Sequence, residues 1–255
     1  MGTVLKFSVA DRVRQWASSM ARAGAVTALL IGAPALAQVS VPGSSNPYLS
    51  GMPGGSACCG GDAAPAQSPV EVTGVTLSPG SSLTFSATGS VNFVPGPSGD
   101  PPDGGGVLTA TPANNGISGA SWPANALVAV FLDNSLPTAS SAPANLDFST
   151  PGSRSFPSLS PALKQVFFVG DGLTGNGTGA VQTFVVPPGA TRLFLGTSDG
   201  SGWFNNSGAF SVTVTAVAAP PPAGPAAAIP TLSPAMIVLL TLVLAGAATV
   251  LIRRA

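Results

Sequence analysis

The chain reads as an all-β protein, an antiparallel jelly-roll-like β-sandwich between an N-terminal signal helix and a C-terminal transmembrane helix. Three observations carry that expectation. Apolar runs in the centre are short, and they either alternate with polar residues or are continuous, as strands are. Turn residues punctuate them throughout, with 32 Gly and 26 Pro in 255 residues. No segment between 70 and 218 keeps a helical period over three turns, which leaves sheet on sheet as the way to bury a core.

Residues 1–37 have the layout of an export signal. Lys6, Arg12, Arg14 and Arg22 lie ahead of or at the start of the apolar run AGAVTALLIGAPALA, which ends in Ala35-Leu36-Ala37. A small residue, any residue and a small residue is what a signal peptidase accepts, so cleavage is expected before Gln38. Initiation at Met20 leads to the same mature chain. The other reading of this segment is an amphipathic helix kept in the fold.

Residues 38–68 are rich in Gly, Ser, Pro and Ala without apolar period, and the expectation is a disordered arm. It holds the two cysteines of the chain, Cys58 and Cys59. Neighbouring cysteines sit closer than a disulfide prefers. A vicinal bridge, an intermolecular link and free thiols are all open, with the intermolecular link as the expectation.

Residues 69–218 form the expected sandwich. VEVTGVTLSPGSSLTFSAT predicts two strands about Ser78-Pro79-Gly80, and ALVAVFLD (126–133) and QVFFVGD (165–171) predict strands buried on both faces. AVQTFVVPPGATRLFLGTS predicts a pair with Pro187-Pro188-Gly189 at the corner. GAFSVTVTAV alternates, with Phe210, Val212 and Val214 on one face and Ser211, Thr213 and Thr215 on the other. Trp122 is a core candidate. Residues 134–163 read as a long Ser/Pro/Ala-rich loop between core strands.

Charge narrows the function. Only 7% of the chain is charged, and histidine is absent. Between 38 and 252 the bases are Arg154, Lys164 and Arg192, outnumbered by Glu71 and seven aspartates. Phosphate binding needs clustered Lys and Arg, so nucleic acid is not an expected partner. Catalysis needs a convergent acid, base or nucleophile. Asp100 and Asp103 sit in a Gly/Pro loop, Asp133 and Asp171 each follow an apolar strand, and no nucleophile motif is visible. The expectation is a protein that is not an enzyme.

The stretch DGSGWFNNSG, residues 199–208, concentrates oxygen donors ahead of the last strand. Asp199 offers a carboxylate, Asn205 and Asn206 offer amide oxygens, and the glycines let carbonyls turn inward. That is the donor set calcium favours. It is equally the composition of an Asn/Gly turn that caps its own backbone. VVPPGATRLFLGTSDGSGWFNNSGAFSVTV resembles the C-terminal half of the small calcium-dependent galactose-binding bacterial lectins of the PA-I type. The resemblance implies that Asp199, Asn205 and Asn206 ligate Ca2+ and that the ion binds two sugar hydroxyls. A loop carbonyl near Gly202 or Trp203 and the carbonyl of Phe93 complete the implied metal set. GPSGDPPDGGG (96–106) resembles the same family's upstream loop and adds Asp100 to the implied ligand-binding residues, with Asp199 and Asn205. Trp203 beside the loop is a further ligand-binding candidate as a stacking face for a sugar, and packing into the sandwich edge is its equal alternative. Pro101 and Gly104 stand where that family holds galactose with His and Gln, so galactose specificity does not carry over.

The tail begins with the Pro/Ala spacer 219–228 and continues with IPTLSP, an apolar span at 235–252 and Arg253-Arg254. Eighteen helical residues rise roughly 27 Å, close to the hydrocarbon thickness, and the arginines orient the span with the domain outside. A permanent anchor is one reading. Ile229, Pro230, Thr231 and Leu232, the span and the terminal arginines together resemble the IPTL-CTERM sorting signal, a relative of the PEP-CTERM signals. Residues 229–255 would then be read by an exosortase-type sorting protease of a Gram-negative bacterium. Pro234, Ala235 and Met236 depart from that family's usual Glu-Trp-Gly. The expected protein passes through an inner-membrane-anchored intermediate to the cell surface or extracellular matrix. There it binds extracellular polysaccharide as a lectin-like module, or else serves as a non-catalytic structural envelope or biofilm-matrix protein without a sugar ligand.

Overall fold

The structure, a computed structural model, describes residues 36–93 and 99–217. The signal segment through Ala35, the spacer, the sorting motif Ile229 to Leu232, the span 235–252 and Arg253-Arg254 lie outside the described residues. In chain order the strands are β1 (Leu36–Pro42), β2 (Ala57–Cys58), β3 (Asp62–Ala63), β4 (Val70–Glu71), β5 (Ser82–Asn92), β6 (Leu108–Thr111), β7 (Ala120–Pro123), β8 (Leu127–Leu132), β9 (Leu146–Asp147), β10 (Ser158–Leu159), β11 (Val166–Phe168), β12 (Leu173–Gly175), β13 (Thr178–Val181), β14 (Thr183–Val185), β15 (Arg192–Thr197) and β16 (Ser207–Val217). One short helix, α1 (Pro151–Arg154), interrupts them.

Two sheets make the body. One runs β1-β16-β5-β14-β10, the other β11-β8-β15-β4. The alternation in β16 turns Phe210, Val212 and Val214 inward, with Val212 opposite Ala87 and Val214 opposite Phe85 of its neighbour β5, where Leu83 is buried too. β8 is buried along its whole length, as a strand covered on both faces must be. Phe167 of β11 and Phe184 of β14 meet at 5.4 Å between ring centroids and tie one sheet to the other. Trp122 is fully buried. The described residues thus form a β-sandwich with almost no helix.

The PPG corner behaves as its residues dictate. Pro187-Pro188-Gly189 carries the chain from β14 in the first sheet to β15 in the second, with Gly189 at φ +84°. The two strands expected about Ser78-Pro79-Gly80 are β4 and β5. β4 is only two residues long and pairs with β15, while β5 pairs with β16 and β14. The turn is real, with Ser81 N–H donating to Ser78 O at 3.0 Å, but it joins two sheets and not a hairpin.

The expected disordered arm, 38–68, is a built part of the body. β1 pairs with β16 from Leu36 to Pro42, so the expected cleavage point between Ala37 and Gln38 falls inside a strand. Asn46 then caps the 3-10 turn Pro47–Leu49 through its side chain, and Tyr48 and Leu49 are buried. β2 and β3 form a ribbon whose turn, Cys59-Gly60-Gly61, has three consecutive positive φ angles of 38°, 83° and 106°. Glycine makes two of those three positions accessible, so residues that read compositionally as an unstructured linker are the ones a tight turn requires. Cys58 and Cys59 form a vicinal disulfide, which replaces the expected intermolecular link.

The long loop 134–163 is also ordered. It contains a 3-10 turn at Pro137–Ala139, β9, α1 and β10. Lys164, just after it, donates to the carbonyls of Ser140 and Ser141, and Arg154 donates to Phe148 O. Arg192 likewise caps Asp133 O and Ser135 O. Each basic side chain among the described residues is therefore engaged with backbone carbonyls. That is how a chain so poor in charge satisfies loop acceptors that no strand reaches.

Candidate functional site

The hairpin between β15 and β16 is clamped at its stem before it turns. Thr197 donates to Gly43 O at 2.6 Å, and Thr111 donates to Asp199 O at 2.6 Å. Ser198 Oγ accepts from Ala126 N–H at 2.7 Å. Gly202, in the left-handed region at φ +77°, starts the 3-10 turn Trp203–Asn205. Its N–H donates to Cys59 O at 2.9 Å, which fastens the loop to the vicinal disulfide turn.

The turn is capped from a distance. Asp62, fully buried on β3, accepts from Trp203 N–H at 3.0 Å and from Phe204 N–H at 2.8 Å. Asn46 supplies a third donor at 2.9 Å. These are the orphan donors that any short helical turn exposes at its start, here satisfied by a side chain 141 residues away in sequence. Sequence reasoning missed Asp62 and Asn46 because both lie in the supposed arm. The one legible signal was Asn46-Pro47, a cap residue followed by proline at the first turn position.

The structure brings Asp199 and Asn206 together and leaves Asn205 exposed. The Asp199 carboxylate accepts from Gly200 N–H at 2.6 Å and is further hydrogen-bonded by the Asn206 side chain and Ser201 N–H. Its pKa is nonetheless raised, because burial outweighs those donors. Asn206 donates to Gly43 O at 3.2 Å, and its Oδ1 is buried with no hydrogen-bond partner. Phe93 is half-buried at the end of β5. One expected ligand residue is corrected. Trp203 is fully buried, its ring N–H donates to Thr197 O at 2.8 Å, and its carbonyl accepts from Asn206 N–H, so the indole offers no face to a ligand. Asp100 is turned to Asn125, whose amide donates to it at 2.7 Å, and its carboxylate covers Gly105.

Oxygen donors near Asp199 fit a calcium ion in part. Among the described residues no three of His, Cys, Asp or Glu converge as a metal cluster. Such an ion would be held by one full carboxylate and neutral oxygens. The orphaned Oδ1 of Asn206 beside that carboxylate is the feature that fits.

A second group of polar residues lies elsewhere. Asp103 Oδ1 accepts from Asp171 N–H at 3.2 Å. Asp103 has a raised pKa, first because it is buried and then because Asp171 repels its charge, with Arg154 opposing weakly. Between the ordinary aspartate value and the raised one, the folded chain binds more protons than the unfolded chain, so this group's contribution to stability falls as pH rises through that window. The urea midpoint of the parent chain minus that of Asp103→Asn should therefore decrease from pH 4 upward and then level off. A difference that stays flat or increases would contradict the buried, repelled carboxylate.

Compared with known proteins, the chain matches no family model, and no curated protein matches it as a relative. The likenesses of the hairpin and of the tail rest on the residues quoted for them.

Proposed function

We propose that the chain is an exported, surface-sorted jelly-roll-like sandwich, akin to the galactose-binding type, that binds extracellular polysaccharide through a calcium ion at the hairpin 199–206. Asp199 would supply the charge, with the amide oxygens of Asn205 and Asn206 and the Phe93 carbonyl as neutral ligands. The signal 1–37 and the tail 229–255 would deliver it through the inner membrane to an exosortase-type protease and on to the cell surface or matrix. The reading is that of a binder, not an enzyme.

The observation that carries it is the Asn206 Oδ1 atom, buried beside a carboxylate with no donor. A buried acceptor left unpaired costs about 1–3 kcal/mol, and a cation is the partner a carboxylate-flanked oxygen favours. With one full charge the site belongs among weak extracellular calcium modules, with a Kd on the order of 10⁻⁴–10⁻³ M. Ligand hydroxyls would complete the coordination, which is what couples metal to polysaccharide.

Calorimetric titration of the full chain should give calcium binding in that range. Asp199→Asn should abolish it, and with it any calcium-dependent retention on a glycan array. Absence of calcium binding to the parent chain sinks the proposal. A second reading is favoured by the self-sufficiency of the loop, since the Asp199 carboxylate already caps Gly200 and Ser201. On that reading the protein is a structural envelope or biofilm-matrix component, and calcium raises its Tm without any glycan being retained.

A further inference from the structure

A cleft of about 510 Å³ opens between the loop Asp103–Gly106, the end of α1 with Arg154 and Ser155, and the β12 turn with Thr174 and Asn176. None of the residues lining it comes from hairpin 199–206. Its size falls in the range of small-molecule sites, ~300–1,000 Å³.

Three features give it a chemistry. Asp103 has one carboxylate oxygen on Asp171 N–H, while the other, Oδ2, is buried and has no hydrogen-bond partner. Arg154, carried here by the long insertion, is fixed by its bond to Phe148 O at 2.7 Å and lies 5.9 Å from the centroid of the Phe168 ring. Its charge and that of Asp103 act on each other across the cleft. The walls are rigid for a reason visible in the bonds. Asp171 spends both oxygens on Leu173 N–H and Gly177 N–H, at 2.8 and 2.7 Å, and so shapes the β12–β13 turn and is not itself a ligand group. Asp103 and Arg154 are the acid and the base that line the cleft, with the Asp171 carboxylate close to Asp103 and that of Asp100 over Gly105, while Ser155, Thr174 and Asn176 add neutral donors and acceptors. A charged ligand would leave one of the two ions opposed; a neutral ligand rich in hydroxyls donates to the carboxylate and accepts from the guanidinium at once.

We propose that this cleft is a calcium-independent binding site for a neutral saccharide ring, with Asp103 accepting from its hydroxyls and Arg154 donating to them. The site is separate from the hairpin, and its occupancy does not depend on the calcium reading.

The test is saturation-transfer NMR on the full chain in a sugar-free detergent with excess EDTA, using the methyl glycosides of glucose, galactose and mannose as probes. Transfer to at least one probe is expected. Asp103→Asn and Arg154→Gln should each weaken its binding about tenfold or more, the effect of losing one hydrogen bond to a charged group. Asp199→Asn should leave it unchanged. Amide exchange of the parent chain at 104–106 should slow when that probe is added, a readout that needs no variant to fold. No transfer from any of the three probes in EDTA overturns the proposal. So does transfer that both cleft variants leave intact, or transfer that Asp199→Asn abolishes. Loss of calcium binding alone bears only on the hairpin.

Discussion

Asp62→Ala should lower the stability of the folded body by about 4 kcal/mol, and its Tm by roughly 10 °C or more. The size follows from what the carboxylate holds. It is fully buried and accepts from Asn46 Nδ2, Trp203 N–H and Phe204 N–H. Hydrogen bonds to a charged acceptor are worth about 1.5–3 kcal/mol each, and removing the acceptor leaves three donors in a dry site. The three bonds share one group, so their losses do not add in full. Asp62→Asn keeps the shape but offers only one acceptor oxygen, and its NH2 group faces a backbone N–H. It should recover no more than about half of the loss. The hairpin is the first part to loosen, because the start of the turn Trp203–Asn205 has no other cap. Thermal unfolding of the parent and the two variants is the measurement. An Asp62→Ala protein within about 1 kcal/mol of the parent would mean the cap does not hold the turn.

Legibility in the sequence followed the range of the interactions involved. β8 and β16 were readable because burial on two faces or on one leaves a direct trace in the order of apolar residues. The PPG corner was readable because φ of proline and glycine is a local property. β1 was not, since Ala37, Val39 and Val41 alternate across the join of an apolar segment with a Ser/Pro-rich one, and neither context looks like a strand. The turn Cys59-Gly60-Gly61 was misread for the same kind of reason, since glycine marks both a linker and a tight turn, and only the partner strand decides. At the hairpin, Asp199 and Asn206 stand in one short stretch of sequence and meet in the structure, yet the roles of Asp62 and Gly43 depend on contacts 141 and 163 residues apart. Asp103 and Asp171, bonded across 68 residues, were unreadable as a pair for that reason too.

The adjacent aromatics Trp203 and Phe204 offer the sharpest contrast in the hairpin. Composition could not say which of them faces the ligand side, since a short 3-10 turn has no period long enough to read. In the structure Trp203 is fully buried, 6.0 Å from the ring centroid of Tyr48, with its ring N–H on Thr197 O, whereas Phe204 is 57% exposed. Trp203→Ala should therefore cost about 3–5 kcal/mol, from lost burial, a cavity against Tyr48 and an unpaired Thr197 carbonyl. For a body of this size that corresponds to a Tm lower by roughly 10 °C or more. Phe204→Ala should stay within about 0.5 kcal/mol, as surface substitutions do. Thermal melts of the two variants decide the matter. If Trp203→Ala melted with the parent while Phe204→Ala fell far below it, the inward and outward assignments would have to be exchanged. The indole would then return as a stacking face for the proposed sugar.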